Sequence, residues 1–468
     1  MLAWAEKSPV PISVIGLAAT LITGLLFAVP WASRLIILSV FVGVTFWAWW
    51  NNRRFILMTP AYLLGIQAYL FFSLIPAALG DYINQFLNAV SVAPTYLHDR
   101  RLQAEYLSYL GTQTELLILI FVGLCFAITP LIPNLVRNSL SARPGLVKLL
   151  IVIAALSWGA TLLGTRISAD TIATYGYWSR QFLDSAVAIT AFALALLHVR
   201  FLPDVRRHMI FLATLALMAA ILVAAGKGKF ILVLMASIGV SALMFSPLAA
   251  RWKRRLLPFL ALLVVAGLVV FGFLRDPGSK KYDHMALYLT RTLVSKVVDR
   301  QIQTGWCFAN VTKEHFKDNR PASALNFLAG PVPRLLWPDK PSLSTGSEFG
   351  QRYCGLDKIF YKHSASITLL GEPVVQAGAF GLVVAVTALL ISLGCFAWLA
   401  ARLNGAGHAM LIAMIPWLMD FDQSLSMYFG NAMKCLIVGA PFVALLWWME
   451  KRHGLTASMA GGAPPKGL

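Results

Sequence analysis

From about residue 10 onward the chain repeats one pattern. An apolar run is followed by a short break carrying charge, proline or glycine, and then another apolar run begins. The runs fall near 10–29, 33–50, 57–78, 114–133, 147–165, 181–199, 208–225, 230–247, 256–274, 378–401, 408–421 and 433–449. A bilayer core calls for roughly 20 apolar residues in helical form, so the pattern predicts about twelve membrane-spanning helices. The runs are continuous and do not alternate at every second residue, which excludes an outer-membrane β-barrel. Only Lys7 precedes the first run and a second run follows at once, so the first reads as an uncleaved span and not a secretory leader. The expected fold class is an all-α polytopic membrane protein.

Two breaks are long. Residues 79–113 interleave Tyr82, Tyr96, Tyr106 and Tyr109 with Asp81, Arg100, Arg101 and Glu105. Residues 275–365 are too extended to be a structureless connector. There "YLTRTLVSKVVDRQIQTGW" sets Leu289, Leu293 and Val297 at helical spacing, opposite Thr292, Lys296 and Arg300. That arrangement predicts an amphipathic helix at the membrane surface. The chain therefore divides into 1–274, with nine spans; 275–365, one large loop; 366–453, with three spans; and 454–468, a Pro/Gly-rich tail expected to be disordered.

Composition agrees with the pattern: 58% of residues are hydrophobic and 13% charged, against about 25% charged in soluble domains. Net charge is +19, which in a soluble protein would suggest nucleic acid. In a membrane protein much of it follows from the cytoplasmic bias of Lys and Arg, and no nucleic-acid partner is expected. With the N-terminus inside, Lys7, Arg53, Arg54, Arg137, Arg143, Lys148, Arg200, Arg206, Arg207, Arg251, Lys253, Arg254, Arg255, Arg402, Lys451, Arg452 and Lys466 are cytoplasmic, 17 in all. The short outer loops hold eight: Arg34, Arg100, Arg101, Arg166, Arg180, Lys227, Lys229 and Lys434. Both termini are thus expected in the cytoplasm and the 275–365 loop outside.

That loop carries 14 Lys/Arg against eight Asp/Glu, an excess that suits an anionic ligand or, more simply, lipid headgroups. Cys125, Cys395 and Cys435 lie in apolar runs and read as small buried hydrophobes. Cys307 and Cys354 lie in the loop; they can pair in an oxidising compartment, although free thiols are the first expectation from two cysteines so far apart.

The loop's densest stretch is "NFLAGPVPRLLWPDKPSLSTG", 326–346. Pro331, Pro333, Pro338 and Pro341 exclude a regular helix and stiffen the chain, presenting Arg334, Trp337 and Lys340. An arginine fork suits phosphate and a tryptophan face suits a sugar ring. The plainer alternative is a structural loop with Arg334 paired to Asp339. "AAGKGKF", 224–230, lacks the spacing and hydroxyl of a Walker loop, so Lys227 and Lys229 are either anion ligands or lysines snorkelling at a helix end. Glu372, Asp420 and Asp422 are ionisable groups beside apolar spans, where charge is costly. Glu372, between Gly371 and Pro373, is a candidate general base, as is His363. "DFD" at 420–422 has the look of a metal pair, but an outer span end or pairing with Lys434 is the favoured reading. Arg166, Arg180 and Arg291 are lesser candidates for anion binding, supported by location alone.

"PRLLWPDKPSLSTGSEFG" (333–350) followed by "SASITLLGEPVVQAGAFG" (364–381) resembles the Wzy-type oligosaccharide repeat-unit polymerases of bacterial O-antigen and exopolysaccharide assembly. The resemblance implies a C-type glycosyltransferase-like fold in the bacterial inner membrane. It also implies a polyprenyl-diphosphate-linked oligosaccharide as substrate, joined on the periplasmic face without metal or other cofactor. Membrane lipids and a chain-length regulator are the partners it suggests. On that reading Arg334, Lys340, Lys227 and Lys229 surround the diphosphate, with Arg180 and Arg291 as further ligands. Trp337 is then a sugar platform, and Glu372 or His363 the base. An O-antigen ligase is the nearest alternative. A lipid-linked oligosaccharide flippase is the other, although it should carry polar groups through many spans, and these spans are mostly clean.

Overall fold

The computed structural model describes residues 7–26, 31–70, 112–134, 144–165, 169–224, 228–245, 300–318, 320–332, 337, 346–353 and 368–460. Among them there is helix and no strand. The α-helices are α1 (Pro9–Leu26), α2 (Trp31–Asn51), α3 (Arg54–Leu57), α4 (Thr59–Tyr69), α5 (Thr112–Ile128), α6 (Pro144–Thr165) and α7 (Ala169–Phe201). They continue with α8 (Val205–Ala224), α9 (Gly228–Phe245), α10 (Arg300–His315), α11 (Gly346–Tyr353), α12 (Thr368–Arg402), α13 (Asn404–Leu418) and α14 (Leu425–Ala460). Among the described residues five stretches are long and apolar enough to cross a membrane: Gly145–Gly164, Phe182–Phe201, Val205–Leu222, Thr368–Arg402 and Leu425–Leu445. Five shorter apolar helices accompany them, Pro9–Thr23, Leu35–Asn51, Leu117–Leu131, Phe230–Phe245 and Gly405–Leu418. The described residues are those of a helical membrane protein. The run expected at 256–274, and Leu289, Leu293 and Val297 of the expected amphipathic helix, fall on residues outside the described set, while the end of that stretch from Arg300 lies in α10.

Two compact units divide the chain. One comprises residues 1–133, 279–397 and 417–433; the other comprises 134–278, 398–416 and 434–468. In the first, α1 packs against α2 and α5, and α4 against α5. Its centre is aromatic: Tyr62 and Phe126 lie 4.9 Å apart between ring centroids. The Tyr62 hydroxyl shares a 2.9 Å hydrogen bond with Thr129 Oγ1, satisfying a phenol buried in an apolar setting.

In the second unit α6 packs on α7, and α7, α8 and α9 pack together. At one end of these helices three buried histidines meet. His198 Nε2 lies 2.8 Å from Ser241 Oγ, which lies 3.0 Å from His408 Nε2. His208 stands beside His198, centroids 4.8 Å apart. Neither His208 nitrogen has a hydrogen-bond partner among the described residues.

Sequence reading and structure differ at three helix ends. α7 begins at Ala169, well before the apolar run expected at 181, so Arg180 is on a helix and not in an outer loop. α14 runs to Ala460, extending into the tail expected to be disordered; the residues of 454–460 include leucine, alanine and methionine, which sustain a helix already begun. α12 begins at Thr368, about ten residues before the expected span.

Candidate functional site

The early start of α12 positions the site. Its helical dihedrals are interrupted at Gly378 (φ 66°, ψ −146°), a left-handed conformation that glycine adopts without steric cost. The residues on either side are therefore two helices, a short one over 368–377 and a longer one over 379–402. The second is about 24 residues, or about 36 Å at 1.5 Å per residue, enough for a bilayer core.

The short piece folds back on the long one. A Cβ placed on Gly381 would collide with the carbonyl of Pro373, whereas eight residues of straight helix would separate them by about 12 Å. The break frees backbone groups, and the loop supplies partners. Ala379 N donates to Phe316 O at 3.1 Å. The Asp318 and His315 carbonyls crowd Gly378 so closely that no side chain fits there. The segment that follows α10 is thereby seated in the notch where the helix breaks.

Entry into the short helix is also constrained. Thr368 has φ 65°, an uncommon value for a β-branched residue of the kind that concentrates at functional sites. Its Oγ1 accepts from Gly371 N at 3.3 Å, and Leu369 N donates to Phe421 O at 3.3 Å.

Glu372, the acidic residue singled out in the sequence, is 9% exposed and fully engaged. Oε2 accepts from Ser426 N at 2.8 Å. Oε1 accepts from the Ser426 hydroxyl and from Gln376 Nε2 at 3.1 Å. Ser426 lies in the first turn of α14, where backbone N–H groups lack intrahelical partners and a carboxylate also meets the positive end of the helix dipole. Ser424 Oγ takes a neighbouring one, accepting from Met427 N at 3.3 Å as an N-cap does. Glu372 thus straps the folded-back piece of α12 to the start of α14.

The proline-rich stretch is rooted at the same place. A Cβ on Gly330 would strike the Ser426 carbonyl, and Phe327 packs on Phe429 with centroids 5.2 Å apart. Trp337 is 42% exposed. Arg334, Lys340, His363, Arg291 and Lys227 lie outside the described residues, while Arg180 and Lys229 lie on α7 and α9 with their side chains outside that set.

One cluster had not been singled out in the sequence. His315 Nδ1 lies 2.9 Å from Asp318 Oδ2 and His315 Nε2 lies 2.7 Å from the Tyr353 hydroxyl. Both ring nitrogens of His315 are therefore engaged, one by a carboxylate and one by a phenol. Arg320 adds an ion pair to Asp318 at 3.2 Å, and Arg352 pairs with Glu314. The hydrogen bond from His315, assisted by the charge of Arg320, holds the Asp318 carboxyl below its ordinary value of 3.8, while burial pushes the Tyr353 phenol above 10.0. The His315 and Tyr353 rings are buried while Arg320, Arg352 and Glu314 reach the surface, and the cluster pins α11 to the end of α10. Its sequence signal was faint: His315 and Asp318 stand at i and i+3, but Tyr353 is remote in the chain.

A covalent tie lies beside this clamp. Cys307 is disulfide-bonded, which corrects the expectation of a free thiol. Cys125, Cys395 and Cys435 are free, and Cys354 lies outside the described residues. Among the described residues no group of three or more His, Cys, Asp or Glu side chains is arranged to hold a metal ion.

No protein-family model, curated protein or solved structure matches this chain.

Proposed function

We propose that the protein is a Wzy-type polymerase that joins oligosaccharide units carried on polyprenyl diphosphate at the outer face of the bacterial inner membrane. The observation that carries the reading is the meeting of three elements at Ser426: the strapping carboxylate Glu372, the folded-back start of α12, and Gly330 at the root of the basic, proline-rich stretch. Broken membrane helices gather where a site must be lined by irregular backbone. The disulfide at Cys307 suits an oxidising, extracytoplasmic compartment.

The chemistry needs no nucleotide, because the donor already carries its leaving group. An acceptor hydroxyl oxygen bonds to the donor's anomeric carbon. The bond from that carbon to the diphosphate breaks, and its electron pair departs on the polyprenyl diphosphate. Arg334 and Lys340 stabilise that departing charge, and Trp337 supports a sugar. Alignment of two lipid-tethered reactants supplies a further share of the barrier, about 7–11 kcal/mol in well-oriented systems. Since both oxygens of Glu372 are committed to α14 and Gln376, we assign Glu372 a positioning role and the acceptor proton to His363.

The test is the polysaccharide of a deletion strain, resolved by size and complemented with wild type or Arg334→Ala. The reading expects single units in the deletion, long chains with wild type, and single units with Arg334→Ala at normal protein level. Long chains never attached to lipid A-core would indicate a ligase, and units trapped in the cytoplasmic leaflet a flippase.

A further inference from the structure

The segment between α10 and the proline-rich stretch is tied to two membrane-spanning helices at once. At one end Phe316 and Asp318 meet Ala379 and Gly378, where the long piece of α12 begins. At the other, Gly330 abuts the Ser426 carbonyl and Phe327 packs on Phe429, both in the opening turns of the apolar stretch Leu425–Leu445. Residues 316–330 are therefore strung across the ends of two spans, at the level where hydrocarbon gives way to headgroups.

Between those ties the backbone winds as two short 3-10 helices, Pro321–Ser323 and Asn326–Ala329. Leu328 N donates to Leu325 O at 3.0 Å and Gly330 N to Phe327 O at 2.8 Å. Side chains three apart eclipse in such a helix, so the second piece has three faces. Ala324, Phe327 and Gly330 form the buried one, against the protein. Asn326 is exposed on another. The third carries Leu325 and Leu328, 56% and 53% exposed. A face that is apolar although turned away from the protein's own core calls for a second apolar environment, and the bilayer adjoins it. Lys317 and Arg320 are exposed on the same segment, and Asp318 between them is taken up by His315 and Arg320. A lysine so placed can lay its stem along acyl chains and its ammonium among phosphates. Apolar flank and basic charge together match phospholipid.

We propose that Leu325 and Leu328 enter the boundary between headgroups and acyl chains of the surrounding phospholipid, with Lys317 at its phosphates. The 3-10 segment then rests on three supports: its buried face on the spans, its leucine face in lipid and its Asn326 face in water. This holds Gly330, the root of the proline-rich stretch, at headgroup height. The surface does not depend on the polymerase reading.

The test uses the full chain in nanodiscs of phosphatidylethanolamine and phosphatidylglycerol, with the photoreactive p-benzoylphenylalanine in place of Leu325, Leu328 or Asn326. Ile391, 61% exposed on the long piece of α12, is the lipid-facing control position. Adducts are identified by mass spectrometry. The proposal expects phospholipid adducts at Leu325, Leu328 and the control, and their loss at Asn326. Lipid adducts at the control but at neither leucine would overturn it, and so would equal adducts at Asn326. In whole-cell membranes, adducts of the leucine positions to a second copy of the chain or to another protein, in place of lipid, would overturn it as well. The unsubstituted protein gives an independent reading. Hydroxyl-radical footprinting in the same nanodiscs should leave Leu325 and Leu328 unoxidised, and ready oxidation of both would contradict the proposal.

Discussion

Replacing Glu372 with alanine removes the strap between the folded-back piece of α12 and the first turn of α14. Three hydrogen bonds to one carboxylate are lost, from Ser426 N, the Ser426 hydroxyl and Gln376 Nε2. Hydrogen bonds to charged groups are worth about 1.5–3 kcal/mol each, and a buried donor left without a partner costs about 1–3 kcal/mol. These contributions overlap, so the expected loss is about 3–5 kcal/mol, typical of breaking one side of a buried charged interaction. At about 2 °C per kcal/mol for a large unit, the apparent melting temperature in detergent should fall by about 6–10 °C. Glu372→Gln keeps the side chain's length and one acceptor oxygen, and should lose less than half as much. A melting temperature for Glu372→Ala within about 2 °C of wild type would refute the strap. The reasoning also separates positioning from catalysis. Glu372→Gln should retain much of the polymerisation, whereas a stable but inactive Glu372→Gln protein would make Glu372 the base and contradict its assignment as a strap.

Cys307→Ser removes the disulfide at Cys307, a loss that typically costs about 2–5 kcal/mol in small domains, so faster proteolysis of the segment that follows α10 and a shifted non-reducing gel mobility are expected. His208→Phe replaces a buried imidazole that has no partner among the described residues with a ring of similar shape beside Phe211; it should raise the melting temperature, by relief of about 1–3 kcal/mol. The Asp318 carboxyl is held below 3.8 by its bond from His315, so its contribution to docking the loop is present above that value and disappears as pH falls through the lowered one. Proteolysis of the loop should therefore be constant from neutral pH down to about 5 and rise only below about 4, and Asp318→Asn should abolish that dependence.

Periodicity made the helices legible, because apolar side chains facing lipid must be continuous along a span whatever they pack against. It did not make the reversal in α12 legible. In "TLLGEPVVQAGAFGLVV" the pattern begins a span only at about 378, and nothing but Pro373 with Gly378 and Gly381 hints that a helix precedes it and breaks there. Glu372 stood out because a carboxylate beside an apolar run is costly. Its role did not, since Ser426 lies 54 residues away in the chain. The same limit hid the His315–Tyr353 bond, which spans 38 residues, and the disulfide at Cys307. Local pattern reveals which residues are expensive to place, whereas their partners are set by tertiary folding.

The most direct measurement gives the purified protein, in liposomes, the lipid-linked units extracted from its own deletion strain, with ATP absent and a chelator present. Products are then resolved by size. The account predicts a ladder of lengthening lipid-linked chains from wild type, and none from Arg334→Ala of equal melting temperature. Units that remain single with the wild-type protein, or that lengthen equally well with Arg334→Ala, would contradict it.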